Sequence, residues 1–263
     1  MCRVFRVSRS RYYARLKSGE GKRQREDREL SVAIKKAFYS SERTYGANRI
    51  VRELRDQGTQ VGKNRVRRLM KQLGLQVKTT KRFRVTTNSD HKRPVAPNLV
   101  QRNFSAQAPN RLWTGDITYI RTTEGWLYLA VVLDVFSRRI VGWSMKKRMT
   151  DELLRRRSAP GLIFHSDRGA QYCSRRFQTL VKGIGGIQSM SGTGCCYDNA
   201  ITESFFATLK RELVHHCSFT SREEAQGRIF RYIEGFYNRR RRHSAVDYQS
   251  PENYERLFFK RAA

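Results

Sequence analysis

Three carboxylates and one lysine stand where chemistry is possible. Asp116 lies in the run WTGDITYI, Asp167 in HSDRG and Glu203 in DNAITES, with Lys210 seven residues further on. None of these settings requires an acid for folding. Carboxylates gathered in one place repel each other, and hard divalent cations with oxygen ligands are what neutralises such a group. Mg2+ is the expected ion, with Mn2+ as its substitute. Two ions about 4 Å apart activate a nucleophile and stabilise the leaving oxygen when a phosphodiester is displaced. Lys210 falls two helical turns after Glu203 and shares its face, where it can grip a DNA phosphate beside the metals. Singly, each of these residues is more often structural. Together they point to nuclease or strand-transfer chemistry.

The elements that must position these groups follow from the hydrophobic pattern. Strands are expected over Leu112 to Arg121, Trp126 to Asp134 and Arg139 to Met145, joined by short turns as an antiparallel meander. A fourth strand over Gly161 to Ser166 ends at Asp167. A helix from about Ser174 to Lys182 and a short strand near Ile187 to Met190 follow it. Strands mixed with helices indicate an α/β layer. If the first and fourth strands are parallel neighbours, Asp116 and Asp167 project from adjacent positions. A helix capped by Asp198, with Ile201, Phe205, Leu209 and Leu213 inward, then delivers Glu203 beside them. A last helix is expected over roughly Ser221 to Arg239. His165, one residue inside a strand end, reads as a packed histidine and stays outside the catalytic set. Asn199 either orients Glu203 or caps the helix start.

Charge narrows the partner. Of the 263 residues, 54 are Lys or Arg and 23 Asp or Glu, a formal net charge of +31, which calls for a polyanion. Residues 1–100 hold 27 basic and 8 acidic side chains. In that half, Leu30, Ile34, Ala37 and Phe38 recur at helical spacing, as do Ile50, Val51 and Leu54 between Gly46 and Gly58. Val66, Leu69, Met70 and Leu73 do so between Gly62 and Gly74. A short helix after Ser8, with Tyr12, Tyr13 and Leu16 inward, precedes them. Lys63, Arg65, Arg67, Arg68 and Lys71 crowd the third of these apolar stretches, as on a recognition helix in a DNA groove or on a plain solvated basic helix. Likewise Arg240 and Arg241, within the run Arg239 to Arg242 beside Tyr237 and His243, suit phosphate contact or a solvated helix end. Residues 1–77 are thus expected to form a helical DNA-binding region, 78–108 a basic linker, and 109–263 the catalytic core with its basic C-terminal helix. The longest apolar run, Trp126 to Leu133, is too short for a membrane helix. No secretory signal is seen at the N-terminus, so a cytoplasmic protein is expected. The five cysteines describe no disulfide framework, and Cys195, Cys196, His215, His216 and Cys217 lack zinc-site spacing.

The runs WTGDITYI, WLYLAVVLDVFSRRIVGWSM, HSDRGAQY, SMSGTGCCYDNAITESFFATLKRELV and YIEGFYNRRRRHSAVDYQSP resemble the downstream-frame protein of the IS3 family of bacterial insertion-sequence transposases, over nearly the whole chain. Thirty-five residues separate Asp167 from Glu203, the spacing of the DD(35)E signature shared with retroviral integrases, and Lys210 falls on its basic position. RTYGANRIVRELRDQG followed by VGKNRVRRLMKQLGL is similar to that family's helix-turn-helix region. The resemblance implies a ribonuclease-H-like mixed five-stranded sheet with flanking helices, preceded by a small all-α region. It also implies two Mg2+ ions, cleavage at terminal inverted repeats, and transfer of the freed 3′-hydroxyl to target DNA. A homo-oligomer on DNA, an upstream-frame protein as fusion or partner, and a nucleoid-associated location are further implications.

One departure stands out. Only sixteen residues, Lys146 to Gly161, join the third strand to the fourth, where the family has a long crossover helix. About a dozen suffice for a parallel crossover, but a shorter helix leaves part of one sheet face uncovered. An active transposase is therefore weighed against an internally deleted, catalytically inactive relic that only binds DNA, and against a nuclease that cuts without joining.

Overall fold

The computed structural model describes residues 8–17, 20–78, 95–145, 160–192 and 199–262. The chain divides into two compact units, Met1–Lys78 and Thr79–Ala263. The first is all helix: α1 Arg9–Lys17, α2 Lys22–Ser40, α3 Ala47–Asp56 and α4 Lys63–Gln72. Leu30, Ile34, Ala37 and Phe38 of α2, Ile50, Val51 and Leu54 of α3, and Val66, Leu69 and Met70 of α4 are all buried. Gly46 and Gly62 open α3 and α4, and Gly58 (φ +86°) and Gly74 (φ +63°) follow their ends in the left-handed conformation that glycine adopts without a Cβ penalty. Of the expected inner face of α1, Tyr12 and Tyr13 are exposed and pack edge-to-face on each other.

The second unit is built on a five-stranded sheet of β1 Leu112–Thr122, β2 Gly125–Asp134, β3 Ile140–Ser144, β4 Ile163–Ser166 and β5 Ile187–Met190, in the order β3-β2-β1-β4-β5. β1, β2 and β3 form the antiparallel meander, and β4 runs parallel to both β1 and β5. Alternation along the strands divides the apolar side chains between two faces. Trp113, Ala130, Val132, Phe164 and Met190 pack under α5 Arg175–Gly183 through Phe177 and Val181. The other face receives α6 Ala200–Glu212 and α7 Arg222–Phe230, which continues as one π-helical stretch, Arg231–Tyr237. Toward the β1–β2 hairpin the α5 side of the sheet carries Tyr119, Trp126 and Tyr128, 46%, 56% and 41% exposed. The crossover whose shortness was expected to uncover part of the sheet, residues 146–159, lies outside the described residues, as does Asp198.

Two features depart from expectation. Residues 95–104, assigned above to the linker, pack on the catalytic unit. Ala96 lies against the core, Val100 is buried, and the Met190 N–H donates to the Pro97 carbonyl at 3.4 Å. An additional helix, α8 Pro251–Ala262, closes the chain. Pro251 and Glu255 are buried, and the rings of Tyr254 and Phe258, one turn apart, pack on Phe136 with centroids 5.0 Å away in both pairs. Glu255 adds a polar anchor, accepting from Ser137 Oγ at 2.8 Å and pairing with Arg139 Nη1 at 2.8 Å.

Candidate active site

The register of the parallel pair places the first two acids. Gly115 of β1 is paired with Ser166 of β4, so Asp116 and Asp167 are the next residues along adjacent parallel strands, and both fall on the α6 side of the sheet. Gly115 fits where a side chain would not. A Cβ there would come within 2.6 Å of Phe164 Cζ, an atom locked in the core. At Asp167 the chain leaves β4 in a turn closed by the Gly169 N–H, which donates to Asp167 Oδ1 at 2.9 Å. The same oxygen lies 2.9 Å from where a Cβ on residue 169 would sit, so glycine lets the turn fold onto the carboxylate.

Glu203 arrives from the opposite layer, in the first turn of α6. That turn is fixed by a buried hydrogen bond, Thr202 Oγ1 to Thr114 Oγ1 at 2.7 Å, which joins the residue before Glu203 to the residue two before Asp116. Sequence reasoning missed this pin, because a threonine pair 88 positions apart leaves no local pattern. Asn199 is buried at the N-cap position but makes no side-chain cap bond among the described residues. His165 is fully buried and bonded to Ser189 Oγ at 2.9 Å, as its packed reading anticipates.

The electrostatics record the crowding. Burial, then the charge of Asp167, raises the Asp116 carboxyl from its ordinary range to about 8, with Glu203 adding to the rise while the Ile117 N–H at 2.7 Å and Lys210 oppose it. Glu203 is raised by burial and by Asp167, and Lys210, half-buried, is lowered by burial against the pull of Asp116. Beneath the acids, buried Tyr172 is held neutral by burial and by the charges of Asp116 and Asp167. These groups therefore sense one another, although among the described residues no three are close enough to enclose an ion as they stand. Asp116 Oδ1 and Asp167 Oδ1 are each turned onto a backbone N–H. The donor set of three carboxylates fits a hard divalent cation.

A stability test follows. The Asp116 carboxyl ionises above about pH 4 in the unfolded chain but holds its proton in the fold until about pH 8. The unfolded state thus binds fewer protons across that window, and the metal-free fold loses stability as pH rises through it. Asp116→Asn removes the loss. With EDTA present, its melting temperature should exceed wild type by an amount that is near zero at pH 4, grows to pH 8 and then levels at several degrees. A difference that ignores pH would show that Asp116 ionises normally in the fold.

The basic candidates separate. On α4, Lys63, Arg67 and Lys71 are exposed along one stripe. Arg65 and Arg68 are instead tied to α2: Arg65 Nε lies 2.7 Å from Asp27 Oδ1, Arg65 Nη2 3.1 Å from Glu26 Oε2, and Arg68 Nη2 2.6 Å from Asp27 Oδ2. Arg68, then Arg65, hold the Asp27 carboxyl below its usual range. Arg240 is exposed. Arg241 is not: it is 3% exposed and its guanidinium forks onto the equally buried Glu212 at 2.8 and 2.7 Å. The phosphate-contact expectation is corrected there, because the chain turns inward after α7 and spends this arginine on the end of α6.

Comparison with known proteins follows this division. Residues 106–196 and 203–257 each match an integrase core domain, and residues 24–83 match an HTH-like domain. The chain is similar to the insertion element IS600 uncharacterized 31 kDa protein of Shigella sonnei, 45% identical over 100% of both chains. It is also similar to the transposase InsF for insertion sequence IS3A of Escherichia coli strain K12, 43% identical over 97% of this chain and 92% of that one. A third relative is the transposase for insertion sequence element IS904 of Lactococcus lactis, 45% identical over 89% of this chain and 96% of that one. With matches to an HTH-like domain and an integrase core, and with relatives 43% to 45% identical over most of both chains, the chain belongs to the IS3 family of insertion-sequence transposases.

Proposed function

We propose that Asp116, Asp167 and Glu203 together hold two Mg2+ ions, replaceable by Mn2+, and that this chain cleaves and joins the ends of its own insertion sequence there. The observation that carries the proposal is the adjacency of Asp116 and Asp167 across the parallel β1–β4 pair, with α6 pinned to β1 through Thr202. When bound, the ions supply a polarised phosphate and an activated oxygen nucleophile. The residues would supply position and charge: Asp116 a carboxylate from the sheet, Asp167 one from its turn, Glu203 one from the facing helix, and Lys210 a cation for a neighbouring phosphate. In the first step water attacks the phosphorus at the element's end, forming one P–O bond and breaking the P–O3′ bond, which leaves a free 3′-hydroxyl. In the second, that 3′-oxygen attacks a target phosphorus, and the target's own 3′-oxygen departs with a proton. Phosphodiester bonds are conserved in the second step, so no external energy source is needed.

DNA ends are held by the N-terminal unit through Lys63, Arg67 and Lys71, with Arg240 adding a phosphate contact on the catalytic unit. Arg65 and Arg68, engaged by α2, contribute less. Lys63→Ala and Arg67→Ala should each reduce the slope of log K against log salt by about 1, whereas Arg65→Ala should change it by clearly less. Equal slopes for all three would return Arg65 to the DNA surface. The working assembly is a homo-oligomer on the terminal repeats, in the bacterial cytoplasm, with the upstream-frame protein as fusion or partner.

The test is incubation of the protein, fused to its upstream frame, with oligonucleotides carrying the element's ends, Mg2+ and a target plasmid. Joined products establish transposition. Cut but unjoined ends would leave a nuclease, and end binding without cleavage would leave a DNA-binding relic.

A further inference from the structure

The turn that presents Asp167 is held from the β5 side by Ser191. Ser191, just past β5, donates its backbone N–H to the Ser166 carbonyl at 3.0 Å, and its hydroxyl lies 3.3 Å from that same oxygen. Its carbonyl accepts from Arg168 Nε at 2.7 Å. Both neighbours of Asp167 are therefore fastened to Ser191, and His165 Nε2 lies 3.4 Å from its hydroxyl. What fastens Ser191 is β5, an edge strand four residues long. An edge this short is weakly held unless something covers its open side.

Residues 95–104 cover it. The Pro97 carbonyl accepts the Met190 N–H at 3.4 Å, and the Leu99 N–H donates to Ser189 Oγ at 2.9 Å. The same Ser189 hydroxyl that accepts from Leu99 is hydrogen-bonded to His165 Nδ1, 2.9 Å away. Val100 is 5% exposed and the Phe104 ring sits edge-on to His165, centroids 6.2 Å apart. The bonds form one path, from Leu99 through Ser189 and His165 to Ser191, and from Ser191 to both sides of Asp167.

We propose that residues 95–104 are a strap that completes the open edge of β5 and, through Ser189 and Ser191, positions Asp167. This rests on the assignment of Asp167 as a metal ligand. The working catalytic unit accordingly begins near residue 95, before the matched core domain at 106.

The experiment uses the full chain with Ser189→Ala, Ser189→Thr and Leu99→Pro. Leu99→Pro deletes the donor at an exposed position of the strap and leaves every residue of the sheet unchanged. Three quantities are read: amide hydrogen exchange at Ser166–Gly169 and Ser191, the rise in melting temperature produced by 10 mM Mg2+, and cleavage of a DNA end against Mg2+ concentration. The expected result is at least about 10-fold faster exchange in that turn for Ser189→Ala and Leu99→Pro, a smaller Mg2+-induced rise, and a several-fold higher half-maximal Mg2+. Ser189→Thr, which keeps the hydroxyl, restores all three. The proposal is overturned if the turn's exchange and the Mg2+ response match wild type, or if activity falls only in proportion to the unfolded fraction. A wild-type protein with no Mg2+ response would instead sink the metal-site assignment, so the two failures are distinguishable.

Discussion

Glu203→Gln should lower DNA cleavage and joining by on the order of 10^3-fold or more while leaving the affinity for DNA ends unchanged within about 2-fold. Glutamine keeps the size and the helix position, so α6 and its Thr202–Thr114 pin are undisturbed. What disappears is one unit of negative charge in the first turn of α6, on a side chain that senses the charge of Asp167. On the proposed assignment, a metal pair neutralised by two carboxylates instead of three would bind more weakly, and its nucleophile would be less well oriented. DNA affinity comes from a chain whose formal charge is +31 and does not depend on this acid. If anything, removing an acid beside the phosphates tightens the complex. The check is a single-turnover cleavage assay beside a binding titration at the same salt. Wild-type cleavage would take Glu203 out of the site, and parallel loss of binding and cleavage would make it a structural residue.

Arg241→Ala should be among the most destabilising single changes in the catalytic unit. Its guanidinium and the Glu212 carboxylate are each 3% exposed, and Tyr232 Oη donates to the same Glu212 at 2.7 Å. Burial works against the arginine's charge, yet the bonds to Glu212 hold its pKa above the ordinary value. Truncation strands Glu212 in the interior, at a cost of about 3 to 5 kcal/mol, which lowers the melting temperature by roughly 10 °C in a unit of this size. Arg241→Lys recovers little, because an ammonium cannot make the two-pronged contact. Pairing Arg241→Met with Glu212→Gln should recover most of the loss, since no charge is then buried alone. Arg240→Ala, one residue away and exposed, should leave stability within about 0.5 kcal/mol and weaken DNA binding. The opposite pattern, with Arg241→Ala melting like wild type and losing DNA, would put Arg241 on the nucleic-acid surface.

Much of this architecture is legible where the physics is local. The buried faces of α2, α3 and α4 follow from residues such as Ile34, Ile50 and Val66 at helical spacing, and the glycines at 58 and 74 mark two ends. The β1–β2–β3 meander follows from short turns between apolar runs, and the adjacency of Asp116 and Asp167 follows from where each sits along its strand. The rest depends on contacts between distant positions. Residues 95–104 contain proline and no apolar period, so they read as linker, yet one backbone bond to β5 and one to the Ser189 hydroxyl hold them. A run of four arginines reads as surface throughout, while the third is turned in by a glutamate 29 residues earlier. α8 is fastened by Tyr254 and Phe258 on Phe136 and also by buried Glu255, a residue that a search for apolar stripes passes over.

The most direct test is a count of bound ions. Electron paramagnetic resonance titration with Mn2+ of the protein in complex with a DNA end should give two saturable sites per catalytic unit. In Asp116→Asn and in Asp167→Asn at least one site should be lost and the other weakened by about 10-fold or more. Mn2+ binding of the same number and affinity in wild type and both variants would contradict the account, because the three carboxylates would then not be the ligands on which the chemistry depends.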